Sequence, residues 1–235
     1  MNTTTSPRSR ICVSVADRSI DAALATARAA EALADVIEVR LDSLAEPAVR
    51  PFVEGLTKPL LFTNRAAWEG GTWQGEESAR VDLLVEAVAA GATYVDIELR
   101  AEAEQRQRLL AAVQGTACQC IVSWHDFKVT ASAQGLGKVF QEMYRSGAHI
   151  GKIVTTARDF RDVLRVLNLQ DEAAEMDFPL IAFCMGPVGV VSRVATCALG
   201  GYMTYAAPDG GGGTAPGQLP ITTLRTLLEE LGHGD

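Results

Sequence analysis

The chain has 235 residues, 48% hydrophobic and 21% charged, with a net charge of −8 and an isoelectric point near 5.0, an ordinary composition for a soluble globular protein. That balance disfavours a nucleic-acid partner, whose phosphates demand clustered Lys and Arg, because no basic run is present. No stretch approaches the roughly 18 uninterrupted apolar residues of a membrane span, and the polar first ten residues lack the apolar core of a signal peptide, so a cytoplasmic protein without a membrane partner is expected.

At this length an α/β barrel routinely folds as one domain, which predicts a flexible segment 1–10 followed by a single domain over 11–235. Short Val- and Ile-rich runs alternate with longer Ala, Leu and Glu segments of helical period, the pattern of repeated βα units around a parallel sheet. In chain order the spacing predicts a strand at 11–15, a helix at 20–33, a strand at 36–41, a short helix near 48–56, a strand at 60–64 and a helix at 76–90. It continues with strand 94–99, helix 102–113, strand 120–124, helix 137–146, strand 150–155, helix 159–167, strand 180–185, helix 191–199, strand 202–206 and helix 222–231. Eight strands alternating with eight helices predict a (β/α)8 TIM barrel. An open doubly wound sheet is disfavoured, because Val15 runs into Ala16-Asp17-Arg18 rather than a Gly-rich turn. The glycines at 210–213 follow the last strand and read as a loop tip or as the hinge of a lid. Cys12, Cys118, Cys120, Cys184 and Cys197 form no C-x-x-C pair and read as reduced core residues.

In such a barrel the active site forms where strands end and βα loops begin. Period two puts Glu38 with Arg40, and Asp96 with Glu98, on shared faces able to point into the barrel mouth. Lys152 is the most informative residue, one of 4 lysines against 17 arginines and the one inside an apolar strand. Desolvation there favours the neutral amine, which can attack a carbonyl. The plainer reading is a lysine that snorkels to water or pairs with a carboxylate. His125 ends the preceding strand, and an imidazole can take and return a proton within one turnover near neutral pH. Neighbouring strands bring the two together and suggest Schiff-base chemistry on a ketone. Arg40, Arg65 and Arg193 suit a carboxylate ligand; the alternative is internal pairing, such as Arg40 with Glu38 or Glu98.

These residues fall within motifs. They are Glu38-Val39-Arg40-Leu41-Asp42, Phe62-Thr63-Asn64-Arg65-Ala66-Ala67-Trp68-Glu69-Gly70-Gly71, Asp96-Ile97-Glu98, Ser123-Trp124-His125-Asp126-Phe127, Gly151-Lys152-Ile153, Met185-Gly186 with Ser192-Arg193-Val194, and Ala215-Pro216-Gly217-Gln218. In order and spacing the sequence resembles the type I 3-dehydroquinate dehydratases of the shikimate pathway. The resemblance implies a metal-independent, cofactor-free barrel that eliminates water from 3-dehydroquinate to give 3-dehydroshikimate, and it admits a homodimer. It implies Lys152 as the imine-forming lysine, His125 as the general acid and base, and Glu69 as the carboxylate that supports them. Substrate contacts are implied for Ser14, Glu38, Val39, Arg40, Arg65, Met185, Arg193, Thr214 and Gln218, with Arg193 as the carboxylate partner. Thr214 stands where many members carry Ser, so the hydroxyl is kept beside an added methyl. The loop at 209–218 is expected to close over the substrate. Two other functions compete. One is a Schiff-base aldolase acting on a phosphosugar, held by the loops after strands seven and eight; Ala215-Pro216-Gly217-Gln218 weakens it by separating the glycines from the last helix. The other is a non-catalytic barrel that binds a carboxylate.

Overall fold

Strands that are apolar on both faces pair in parallel and are covered by helices, and the computed structural model, which describes residues 10–233, shows that arrangement. The strands are β1 (Arg10–Val15), β2 (Val36–Arg40), β3 (Leu60–Thr63), β4 (Tyr94–Glu98), β5 (Gln119–Asp126), β6 (Ile150–Thr156), β7 (Leu180–Met185), β8 (Met203–Ala207) and the two-residue β9 (Leu219–Pro220). Consecutive strands from β1 to β7 pair in parallel, β8 pairs with β1, and β9 adds to β8. The seam between β7 and β8 is held by the Tyr202 N–H donating to the Leu180 carbonyl at 2.9 Å. That contact bridges the two ends of the curled sheet, completing the expected barrel.

The helices are α1 (Ile20–Ala30), α2 (Arg50–Gly55), α3 (Glu77–Ala89), α4 (Ala103–Ala112), α5 (Ala133–Arg145), α6 (Phe160–Leu167), α7 (Leu169–Glu175), α8 (Val190–Ala198) and α9 (Ile221–Glu230). Side-chain oxygens fix several starts: Ser19 accepts from Ala22 N, Ser132 from Gly135 N, and Asp159 from Arg161 N and Asp162 N. The Ser132 cap explains why α5 begins before the two glycines that mark its expected start. Helix α7 is an addition to the expected set, because Asn168 keeps right-handed helical dihedrals and lets a second short helix follow α6 directly. Arg10 already belongs to β1, which trims the segment expected to be flexible; residues 1–9 lie outside the described residues.

Alternation along each strand divides the apolar residues into two cores. Ile11, Val13, Val39, Phe62, Val95, Val122, Ile153 and Ala182 face outward and pack with helix residues such as Leu84, Leu109, Phe140 and Leu224. Cys12, Val36, Leu61, Tyr94, Ile121, Ile150, Ile181 and Met203 face inward and plug the barrel below the strand ends. All five cysteines are buried, and none is joined in a disulfide. Among the described residues no helix is long and apolar enough to cross a membrane. Phe140 on α5 is fully buried, edge-on to Phe178 with ring centres 5.8 Å apart. Phe140→Ala is expected to cost about 3–5 kcal/mol through lost transfer energy and the remaining cavity, read as a lower urea midpoint at unchanged slope.

Candidate active site

Two residues further along β1 to β6 from the apolar plug, the inward positions become polar: Ser14, Glu38, Thr63, Asp96, Ser123 and Lys152. The β5–β6 register sets Ser123 beside Lys152 and His125 beside Val154, so Lys152 and His125 share the inward face on neighbouring strands. Both line one cavity, partly open to solvent, with Glu38, Arg40, Arg65, Glu69, Phe127, Phe183, Met185, Arg193, Tyr205, Thr214 and Gln218.

Lys152 is buried, yet its head group is not in the apolar setting its strand suggests. Nζ lies 3.6 Å from Asp96 Oδ2, 3.9 Å from Glu38 Oε1 and 3.9 Å from the centre of the Tyr205 ring, surroundings that complement a positive charge. Asp96 Oδ1 accepts from Ser123 at 2.6 Å and pairs with Arg65 Nη2 at 2.9 Å. Arg65 Nη1 donates to Glu98 Oε1 at 2.9 Å and to Ser123 at 2.7 Å. Behind Glu98, the fully buried Arg80 of α3 places Nη2 2.8 Å from Oε2, an ion pair without hydrogen-bond geometry, while Nη1 donates to the Asn64 carbonyl at 2.6 Å. Burial opposes the charge on Asp96 and on Arg65, but their partners prevail: Asp96 is held below the usual carboxylate range by Arg65 and Lys152, and Arg65 well above the usual guanidinium value by Asp96 and Glu98.

Glu69 closes a short 3-10 turn at Ala67–Glu69 that ends in Gly70 at φ 82°, a left-handed conformation open to glycine. Its Oε1 accepts from both the backbone N–H and Nδ1 of His125 at 2.9 Å, and its Oε2 accepts from Arg100 Nε at 3.1 Å. The other two contacts on Glu69 are N–H donors, so when its carboxylate is ionised Nδ1 donates to it as well and the Nε2 lone pair is left free. Burial, then the cations Arg65, Lys152, Arg40 and Arg100, push His125 well below its ordinary value. Burial raises Glu69 to about 7 against the pull of Arg65 and Arg100. The two titrate as one unit, and near neutral pH the imidazole is an uncharged base.

Arg193 on α8 is buried, with Nε and Nη1 making no hydrogen bond, Nη2 donating to the Pro216 carbonyl at 3.2 Å and its carbon 4.5 Å above the Phe183 ring. Burial lowers it to about 10, so it stays cationic at neutral pH. Thr214 and Gln218 face the same cavity and satisfy each other, the Thr214 N–H donating to Gln218 Oε1 at 2.7 Å. Met185 supplies apolar wall. Two residues with implied contacts lie outside the cavity lining. Val39 points into the outer core, as its parity along β2 requires, and Ser14 sits behind Glu38, to whose Oε2 it donates. Arg40 pairs with neither Glu38 nor Glu98 but bidentately with Asp42, at 2.8 and 2.7 Å. Asp42 also accepts from the Arg65 and Thr72 N–H groups at 3.0 Å, pinning the loop that carries Glu69.

Sequence reasoning missed Arg80, Arg100, Phe127 and Tyr205. Tyr205 was reachable through its parity on the last strand; the long side chains of Arg80 and Arg100 were not, since nothing local reveals where they reach. Arg80→Met is expected to destabilise the fold by about 3–5 kcal/mol, because it strips a buried cation from Glu98 and a donor from the Asn64 carbonyl. Chemical denaturation measures the loss.

The chain matches the family described as Type I 3-dehydroquinase over residues 11–235. A 3-dehydroquinate dehydratase of Desulfotalea psychrophila is 47% identical over 219 residues, which span 93% of this chain and 96% of that protein. The crystal structure of 3-dehydroquinate dehydratase from Geobacillus kaustophilus superposes with a TM-score of 0.87 at 28% identity, covering 96% of this chain and 92% of the other. A type I 3-dehydroquinate dehydratase from Clostridium difficile, crystallised with covalently modified comenic acid, superposes with a TM-score of 0.84 at 26% identity over 96% of this chain and 92% of its own. With a barrel of matching shape and a match that spans nearly its whole length, the chain belongs to the type I 3-dehydroquinase family.

Proposed function

We propose that the chain is a hydro-lyase that converts 3-dehydroquinate to 3-dehydroshikimate, the third step of the shikimate pathway, through a Schiff base on Lys152. One observation carries the reading: Lys152 and His125 open into the same cavity as the unpaired N–H groups of Arg193. An amine, a base and a carboxylate receptor thus surround one space, which matches a substrate bearing a ketone and a carboxylate.

The steps follow from the groups in place. The substrate carboxylate accepts from Arg193, which gains the partner its buried donors lack. Lys152, after losing its proton, adds to the ketone, and expulsion of water leaves an iminium. That cation occupies the place of the ammonium, so Asp96, Glu38 and the Tyr205 ring stabilise it in turn. The iminium draws electrons from the adjacent C–H bond, and His125 Nε2 removes the proton to give an enamine. Glu69, receiving the Nδ1 proton as a hydrogen bond, stabilises the imidazolium that forms. The enamine then expels the hydroxyl from the carbon bearing the carboxylate, His125 returns its proton to the departing oxygen, and water hydrolyses the imine. Gln218 and Thr214 must exchange their mutual bond for substrate contacts as the loop closes.

Borohydride reduction during turnover is expected to attach the carbon skeleton of the ligand to the peptide containing Lys152; an active preparation with that lysine unmodified would falsify the scheme. Lys152→Ala is expected to abolish turnover, while His125→Ala lowers kcat by about 10²–10⁴-fold and still forms the imine in mass spectra. Glu69→Gln removes a negative charge from His125 and a group that binds protons near neutrality. Both changes weaken proton uptake, so the acid limb of kcat/KM is expected to move to lower pH while kcat falls; a limb that rises would refute the pairing.

A further inference from the structure

Both polar groups of the His125 peptide are held. Its N–H donates to Glu69 Oε1 at 2.9 Å, and its carbonyl accepts from Arg100 Nη2 at 2.6 Å. The same guanidinium donates through Nε to Glu69 Oε2 at 3.1 Å, so Arg100, Glu69 and the His125 backbone close a ring of hydrogen bonds. Arg100 lies just past the end of β4, with its guanidinium carbon 5.6 Å from the centre of the Trp124 ring. Its side chain is 50% exposed, whereas that of Glu69 is sealed, and it is absent from the cavity lining.

We propose that Arg100 is a positioning residue for proton transfer, holding the Glu69 carboxyl group against the His125 peptide and the imidazole in line with the cavity, a role that rests on the dehydratase reading above. It touches no substrate and acts through the pair. The other charged groups that bear on the pair are Arg65, Glu98, Arg40 and Lys152. Arg65 and Lys152 face Asp96, Arg65 also bonds Glu98, and Arg40 is committed to Asp42. Arg100 instead bonds the pair itself. Removing it withdraws a cation that favours the Glu69 carboxylate and disfavours an imidazolium at His125. Both losses act in one direction, and the pair takes up its next proton at a higher pH.

The test compares wild type, Arg100→Met and Arg100→Lys in steady-state turnover of 3-dehydroquinate from about pH 5 to 9, with NMR titration of the His125 ring. The chain has 3 histidines, so that signal can be assigned by substitution. In Arg100→Met, kcat is expected to fall about tenfold with KM within about twofold, while the acid limb and the His125 midpoint rise by roughly half a unit or more. Arg100→Lys keeps the charge but not the planar fork; its limb is expected to return to the wild-type position with an intermediate kcat. Wild-type kcat and an unmoved limb in Arg100→Met would overturn the proposal, as would a change confined to thermal stability. Failure of the wild type to turn over 3-dehydroquinate would sink the dehydratase reading instead, and the His125 titration would still decide whether Arg100 governs the pair.

Discussion

From Arg80 on α3 to Glu38 on β2, positive and negative side chains alternate through the upper barrel: Arg80, Glu98, Arg65, Asp96, Lys152, Glu38. A lone charge in such a place would cost several kcal/mol in lost hydration even after relaxation, so no member can be buried without its neighbours. The chain of charges fixes the lysine head as firmly as packing fixes the apolar plug beneath it. It also leaves Lys152, flanked by Asp96 and Glu38, at the cavity wall. Arg40 with Asp42, and Arg100 with Glu69, repeat the same matching at the rim.

Matching of charge also explains how one fold holds an uncharged imidazole among so many ions. The cations that surround His125 repel a further proton, and Glu69 anchors the proton already present on Nδ1. The result is a weak base with a fixed tautomer. In the proposed scheme that weakness is tolerable, because an iminium on Lys152, not the base, makes the neighbouring C–H bond acidic.

The barrel was legible because each strand is a compact run of β-branched and aliphatic residues, and parity along those runs foretold that Glu38, Asp96, Lys152 and His125 share the inward side. Parity likewise places the Val39 side chain on the outer face, between Glu38 and Arg40, which both face inward. What stayed hidden was contact at a distance. Arg80 reads as an ordinary residue of a surface helix, and Arg100 as one more loop cation, because a side chain of that length can end in many places. Asp42 as the partner of Arg40 was equally concealed, since it depends on the turn after β2 rather than on the strand. Helix α7 has no strong cap of its own and was absorbed into the connection before β7.

Arg193 differs from the other buried cations: among the described residues no carboxylate pairs with it, and two of its nitrogens are dry and without an acceptor. For inhibitor chemistry this means that shape mimicry is insufficient. A neutral ester or amide of the correct outline would be asked to cover donors it cannot satisfy in full, while any compact anion small enough to reach the floor begins with an advantage that owes nothing to its carbon skeleton.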